Sequence, residues 1–156
     1  MAQPKPAAPD ALRLDRQLCF PIYAASRLVT RLYQPLLEPL GLTYPQYIIL
    51  MILWEDAPCA VSAIGARALL SSNTLTPLLK RLEQGGWITR ARSARDERVV
   101  RVDLTAEGRA LKCRCACIPG DLVRTVGYPA QDLMTLKALM DDLVAHLRTL
   151  DAAGRA

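Results

Sequence analysis

The chain has 156 residues, enough for one domain with a real core, and its 20 Lys and Arg against 15 Asp and Glu give a formal charge of +5. This excess permits a polyanionic partner without requiring one. No run of about 18 apolar residues marks a membrane span, and neither a glycine-rich nucleotide loop nor a histidine-based catalytic set is present.

Residues 1–11 carry Pro4, Pro6 and Pro9 and no apolar stretch, and are expected to be disordered rather than a secretory leader. Leu12 to Tyr33 reads as a helix, with Leu14, Leu18, Ile22, Ala25, Leu28 and Leu32 repeating at three or four residues. Pro21 is expected to kink it near Gln17 or to restart it at the proline's own position. Pro35 and Pro39 break up a short connecting helix over 34–40. Thr43 is the expected N-cap of the next helix, with Pro45 in its first turn. Its apolar run from Tyr47 to Trp54 predicts burial.

After a turn at Asp56-Ala57-Pro58, Val61 to Leu70 makes a short helix. Ser71 and Ser72 offer a cap for a second helix, Thr74 to Gln84, which Gly85-Gly86 stops. Trp87 to Arg92 and Arg98 to Leu104 alternate as strands around a charged tip, Ser93 to Glu97, which predicts a β-hairpin. Thr105 caps a long helix with Glu107 in its first turn. Ile118-Pro119-Gly120 breaks or bends it, and Gly127 and Pro129 mark another turn. The last helix carries Leu133, Leu136, Met140, Leu143, Leu147 and Leu150, a seam suited to association between subunits.

Short helix, turn, helix and basic hairpin is the order of a winged helix-turn-helix, mostly α with a small β-hairpin. Its second helix would enter the major groove with Ser72, Asn73, Thr74, Thr76, Pro77, Lys80 and Arg81 outward, while Leu75, Leu78, Leu79 and Leu82 face the core. Hydroxyls and an amide suit base edges, and Lys80 and Arg81 suit phosphates. From Ser71 to Arg101 seven residues are basic and three acidic, a difference of +4 out of the chain's +5. Arg95 and Arg98 extend this charge to the hairpin tip. Arg98 is expected to enter a narrow minor groove, its guanidinium oriented by Asp96.

The segments Leu14-Asp15-Arg16-Gln17-Leu18-Cys19-Phe20, Tyr33-Gln34-Pro35-Leu36-Leu37, Leu42-Thr43-Tyr44-Pro45-Gln46-Tyr47, Thr74 to Glu83 and Asp96-Glu97-Arg98 together resemble the organic-hydroperoxide-resistance regulators (OhrR) of the MarR family. The resemblance spans roughly 14–120. It implies one MarR-type domain over 12–156, with a winged helix-turn-helix at about 43–104. Residues 12–40 and 105–150 would then supply the helices of a homodimer, which binds double-stranded operator DNA, an inverted repeat, in the cytoplasm. It further implies a repressor released by organic hydroperoxide. Cys19 matches the peroxide-reactive cysteine, Tyr33 and Tyr44 the tyrosines that hydrogen-bond its sulfur, and Tyr23 a third tyrosine near that site. Pro21 stands where relatives carry an ordinary apolar residue, and Ser71-Ser72-Asn73 where they carry Asp-Ser-Gly.

The chemistry asked of Cys19 agrees with its neighbours. A thiolate is the attacking species. Phenolic hydroxyls aimed at the sulfur favour it, as would Arg16 on a continuous helix, while Asp15 opposes it. A helix restarting beside Cys19 would add free N–H groups. The apolar neighbours Phe20 and Ile22 suit an alkyl hydroperoxide.

Four other cysteines are present, Cys59, Cys113, Cys115 and Cys117, and the odd total argues for free thiols rather than a secreted disulfide framework. On a continuous helix Cys113 and Cys117 share a face and Cys115 points away. Cys117 is the candidate resolving thiol, ahead of Cys113 and Cys115, with capture of Cys19 by a small external thiol as the alternative. Cys-x-Cys-x-Cys is not a usual zinc spacing, so neither metal nor cofactor is expected. Two other functions remain open: a MarR-type regulator that binds a small lipophilic or aromatic ligand with Cys19 incidental, and a thiol peroxidase. The leading expectation is a regulator rather than an enzyme.

Overall fold

The computed structural model describes residues 12–94 and 96–153, so the N-terminal segment expected to be disordered and Arg95 lie outside the described residues. In chain order the elements are α1 (Cys19–Leu37), α2 (Tyr44–Asp56), β1 (Cys59–Ala60), α3 (Val61–Ala68), α4 (Ser72–Gln84), β2 (Ile88–Arg92), β3 (Val100–Leu104), α5 (Ala106–Cys115), α6 (Ile118–Val126) and α7 (Ala130–Ala153). They form two compact units that divide between Ala116 and Cys117.

The first unit is built around α2. Gln46, in the first turn, accepts the Thr43 N–H at 2.8 Å and the Thr43 hydroxyl at 2.9 Å through Oε1, which fixes the start of the helix. Its polar head is thereby satisfied although the residue is buried. Tyr47, Ile49, Leu50, Ile52 and Leu53 are buried all round the helix, as expected of a central helix with no polar face. Ile64 of α3, Leu75, Leu79 and Leu82 of α4, Val102 and Leu104 of β3 and Leu111 of α5 complete the core. The strand order is β1-β3-β2, all antiparallel, with Cys59 opposite Val102 and Arg90 opposite Val102 on the other side. This is a winged helix-turn-helix: α3 and α4 are the helix pair and β2–β3 the wing.

The base of the wing is held to α5 at close quarters. Thr105 caps α5 by accepting the Gly108 N–H at 2.9 Å. Its hydroxyl donates to the Gly86 carbonyl at 2.6 Å, and its own N–H donates to the Trp87 carbonyl at 3.1 Å. The Gly108 carbonyl accepts the Trp54 indole N–H of α2 at 2.9 Å. A Cβ at Gly108 would stand 2.0 Å from the Trp87 oxygen, so only glycine fits.

Two helix boundaries differ from the sequence expectation and a third follows it. The first long helix begins at Cys19 rather than near Leu12. A separate 3-10 turn, Leu14–Arg16, precedes it and Gln17 is extended. Pro21 therefore sits in the first turn, where no intrahelical N–H is required of it. At the other end α1 runs on through Pro35 to Leu37, and a 3-10 turn over Glu38–Leu40 replaces the expected connecting helix. The third is the break expected before Pro119: the helix after the wing ends at Cys115. Pro119 has no N–H for the carbonyl four residues back, so α6 starts afresh with the proline in its first turn. In the second unit Leu133, Met140 and Leu143 of α7 are half-buried, whereas Leu136, Leu139, Leu147 and Leu150 are exposed. Among the described residues no single helix is long and apolar enough to cross a membrane.

Candidate nucleic-acid interface and thiol site

The α4 face is laid out by its leucines. Leu75, Leu79 and Leu82 are buried and Leu78 half-buried, which turns Ser72, Asn73, Thr74, Thr76, Pro77, Lys80 and Arg81 to solvent. The Ser71 and Thr74 hydroxyls stand 3.2 Å apart at the amino end. The Thr76 hydroxyl donates back to the Ser72 carbonyl at 2.8 Å, leaving its lone pairs outward. Pro77 offers no N–H to the Asn73 carbonyl, so that acceptor in the first turn of α4 is also without its helical partner. Hydroxyls, an amide and a carbonyl thus cluster where a helix tip would meet base edges, with Lys80 and Arg81 together about two turns past the start of the helix.

The wing tip is a tight turn. Ser93 N–H donates to the Val99 carbonyl at 2.8 Å and Val99 N–H to the Asp96 carbonyl at 3.0 Å. The Asp96 carboxylate accepts the backbone N–H of Arg98 at 3.0 Å. This corrects the expectation that Asp96 grips the Arg98 guanidinium. A carboxylate two residues upstream closes on the nearer N–H, as Asp does in turns, so Asp96 shapes the tip and leaves the exposed Arg98 side chain without an ion pair among the described residues.

Not all of the segment's positive charge faces outward. Arg90 is clamped on Glu83 of α4 at 2.5 and 3.0 Å, and its guanidinium holds the Glu83 carboxyl below the usual range. Arg101 donates to the Pro58 carbonyl at 2.5 Å. Lys80, Arg81, Arg92 and Arg98 make no such bond among the described residues. Between α3, α4 and the wing lies a cleft of about 570 Å³ with Ser62, Ser72, Thr76 and Arg98 on its wall.

The thiol candidates lie on other helices. Cys19 is the first residue of α1 and is exposed. Leu18 at the N-cap supplies no side-chain acceptor, Phe20 N–H is directed at the Gln17 carbonyl at 3.3 Å, and Pro21 has no N–H. Arg16 lies in the separate 3-10 turn, so it does not share a helical face with Cys19. Asp15 is engaged by Arg13 at 2.9 and 3.1 Å.

Tyr33 and Tyr44 are brought together, ring centroids 4.6 Å apart at 36°. Both are half-buried, and burial raises both phenols above their ordinary range, with Tyr44 adding to the effect at Tyr33. At neutral pH both are therefore protonated donors. Tyr47, buried, joins the cluster 5.9 Å from Tyr33 and edge-on to Trp54 at 6.1 Å. The sequence reading missed it as a site residue, although it falls three residues after Tyr44 and so on the same helical face. Tyr23 is 62 % exposed.

Cys19 does not reach this cluster in its own chain. Tyr33 lies fourteen residues further along α1, about 21 Å at 1.5 Å per residue. A cleft of about 580 Å³ opens beside Tyr44, lined by Arg27, Arg31, Gln34 and Pro45.

Of the remaining cysteines, Cys115 is buried on α5 and Cys113 exposed there. Cys117 is exposed and precedes α6 in the second unit, so the helical face expected to carry both Cys113 and Cys117 does not exist. Cys59 is half-buried in β1, a strand too short to be read from periodicity, and burial pushes its thiol up.

Residues 31–114 match the family described as transcriptional regulator SarA/Rot. The chain is 45 % identical over 138 residues to the organic hydroperoxide resistance transcriptional regulator of Bacillus subtilis, covering 88 % of this chain and 94 % of that protein. Among solved structures, reduced AbfR bound to DNA matches with a TM-score of 0.76 and 36 % identity, over 91 % of this chain and 97 % of that one. AbfR, a protein of Staphylococcus epidermidis, is also solved with its disulfide formed, and that chain matches with a TM-score of 0.57, 37 % identity and coverage of 86 % and 95 %. Wild-type MarR from E. coli matches with a TM-score of 0.68 and 26 % identity, over 81 % of this chain and 96 % of that one. With the winged head and its exposed polar helix face in view, the chain is a DNA-binding transcriptional regulator of the MarR family, of the organic-hydroperoxide-resistance (OhrR) type.

Proposed function

We propose that the protein is a thiol-switched repressor: a homodimer holds an inverted-repeat operator while Cys19 is reduced and releases it when an organic hydroperoxide oxidises Cys19. The observation that carries this reading is the layout of α1. An exposed thiol opens the helix, and a pair of protonated tyrosines with their rings tilted together stands about 21 Å further on. A second copy lying antiparallel along α1 would bring the Cys19 of one chain to Tyr33 and Tyr44 of the other, giving two composite sites per dimer. Leu18, Phe20, Tyr23, Leu28 and Leu32 are all exposed along the same segment, an apolar surface larger than a lone chain comfortably shows to water.

In the reaction the Cys19 thiolate attacks the outer oxygen of the hydroperoxide and the O–O bond breaks. The alkoxide leaves with a proton as the alcohol, and the sulfur becomes a sulfenic acid. A second thiol then displaces hydroxide, which leaves as water, and forms a disulfide. Cys117 is the candidate resolver, exposed next to the start of α6, and Cys113 the next. Cys115 is buried and is disfavoured. A small external thiol is the alternative resolver. Arg98 enters the minor groove, and Ser72, Asn73, Thr74 and Thr76 read the major groove.

The test is operator affinity of wild type and Cys19→Ser with and without an organic hydroperoxide, in the presence and absence of added thiol. Release confined to the wild type is expected. Equal release by Cys19→Ser would overturn the sensor assignment. It would favour the second reading, a lipophilic ligand bound in the cleft of about 580 Å³ beside Tyr44. A thiol peroxidase would consume peroxide catalytically, whereas the switch consumes it in proportion to protein. A disulfide from Cys19 to Cys117 of the second copy gives a dimer-sized band on a non-reducing gel, and loss of that band in oxidised Cys117→Ser is expected.

A further inference from the structure

The turn between α3 and α4 holds a residue whose conformation and exposure both run against its chemistry. Leu69 has φ of 55° and is the only non-glycine residue with positive φ among the described residues. A bulky side chain in this region crowds its own backbone, and glycine is the residue helices ordinarily place there. The turn is fixed on both sides. Leu70 N–H closes the end of α3 by donating to the Gly65 carbonyl at 3.0 Å. Gly65 packs so near α4 that a Cβ there would stand 3.1 Å from the Leu70 oxygen and 3.4 Å from a Leu75 methyl. Leu70 is half-buried. Leu69 is 63 % exposed.

Its exposure is also isolated. The other large hydrophobic residues exposed among the described ones fall at or before Leu32 or at or after Val123, apart from Val100, which is 36 % exposed. The first group lies along α1 and its lead-in, where the proposed dimer accounts for it, and the second lies in the other unit. Leu69 stands instead in the DNA-binding head, two residues before the Ser71 cap of α4. The chain thus keeps a strained, solvated leucine at the mouth of the helix that reads the major groove. The apolar group that a duplex presents in that groove is the C5-methyl of thymine.

We infer that Leu69 is a specificity-determining contact, its side chain meeting a thymine methyl in the major groove beside the amino end of α4. The inference rests on α4 being the reading helix. It adds an apolar contact to a face otherwise made of hydroxyl, amide and cationic groups.

The experiment uses a duplex enriched by the wild-type protein from a random-sequence pool and an unselected duplex of the same length. Leu69→Gly relieves the strained backbone and is expected to melt no lower than wild type, yet to bind the selected duplex about three- to tenfold more weakly, the range for losing one good apolar base contact. Binding to the unselected duplex stays within about twofold, because phosphate contacts are untouched. Leu69→Met retains most of the affinity. Replacing thymine by uracil one position at a time removes single methyl groups. One position is expected to weaken wild type by a comparable factor and Leu69→Gly not at all. Wild-type affinity in Leu69→Gly, equal weakening on both duplexes, or the absence of a uracil position that couples to residue 69 would each overturn the inference. Failure of the wild type to enrich any duplex would instead overturn α4 as the reading helix, and this contact with it.

Discussion

Adding one methyl group at Gly108 should cost more than its size suggests. The new Cβ would lie 2.0 Å from the Trp87 oxygen, 3.0 Å from its carbonyl carbon and 3.3 Å from a Leu104 methyl. Ordinary carbon–oxygen contact needs over 3 Å, so the start of α5 must retreat from the wing base by about 1 Å. Three hydrogen bonds pass through that contact: Trp54 Nε1 to the Gly108 carbonyl, Gly108 N–H to Thr105, and Thr105 N–H to the Trp87 carbonyl. At about 1 kcal/mol each their loss costs roughly 3 kcal/mol. Alanine returns about 1 kcal/mol through helix propensity, and repulsion in the packed core adds about 1 kcal/mol. Gly108→Ala should therefore destabilise the protein by about 3 kcal/mol, or roughly 6–12 °C in Tm for a chain of this size. Gly120, within α6, is the control: a Cβ there meets only the end of Arg124 at 3.8 Å, so Gly120→Ala should stabilise by about 0.5–1 kcal/mol. Chemical denaturation at matched protein concentration reads both. If Gly108→Ala were as stable as Gly120→Ala, the account of the wing base as a contact only glycine permits would be wrong.

Other consequences are open to measurement. Arg98→Ala should weaken operator binding and flatten its salt dependence by about one unit of slope, whereas Asp96→Ala should act by loosening the wing tip, with a smaller loss; equal affinity of Arg98→Ala and wild type at moderate salt would exclude the minor-groove role. Absorbance titration of the tyrosines should show Tyr33 and Tyr44 ionising above the ordinary phenol range; since the unfolded chain loses those protons first, stability should fall as pH rises past about 10. The Glu83–Arg90 pair works in the other direction, because the Glu83 carboxyl is held low. Its contribution is present above the ordinary Glu range near pH 4.3 and lost as pH falls through the folded value, and solvent screening limits it to about 0.5 kcal/mol, measurable as the pH-dependent part of Glu83→Gln.

The winged head was legible because its signals are local. The Thr43 cap and an unbroken apolar run placed α2, apolar residues at helical spacing α4, Gly85-Gly86 the end of α4, and strict alternation the wing strands. The Thr43 and Thr105 caps were each visible as a side chain in the right place, whereas the part of Gln46 at the start of α2 was not read. What escaped depends on partners distant in sequence or on competition within a turn. β1 is two residues long and exists only by pairing with Val102. The start of α1 at Cys19 follows the Pro21 signal, whereas its continuation through Pro35 runs against the proline there. Asp96 had two possible donors in Arg98, and chain geometry chose the backbone. The thiol chemistry was legible only through resemblance: the fourteen residues from Cys19 to Tyr33 on one helix already separate sulfur from phenol, but nothing in the spacing says that Tyr33 and Tyr44 meet.

That distance along α1 has a genetic consequence. If each working centre borrows its sulfur from one protomer and its phenols from the other, two crippled proteins can repair one another. A homodimer of Cys19→Ser has no sulfur, and a homodimer of Tyr33→Phe/Tyr44→Phe has no phenol donors. In a mixed dimer of the two, the intact cysteine faces the intact tyrosines once, so co-expressing both alleles should restore one centre in each mixed dimer, about a quarter of all centres when subunits assort at random, and with it peroxide-dependent release by those dimers.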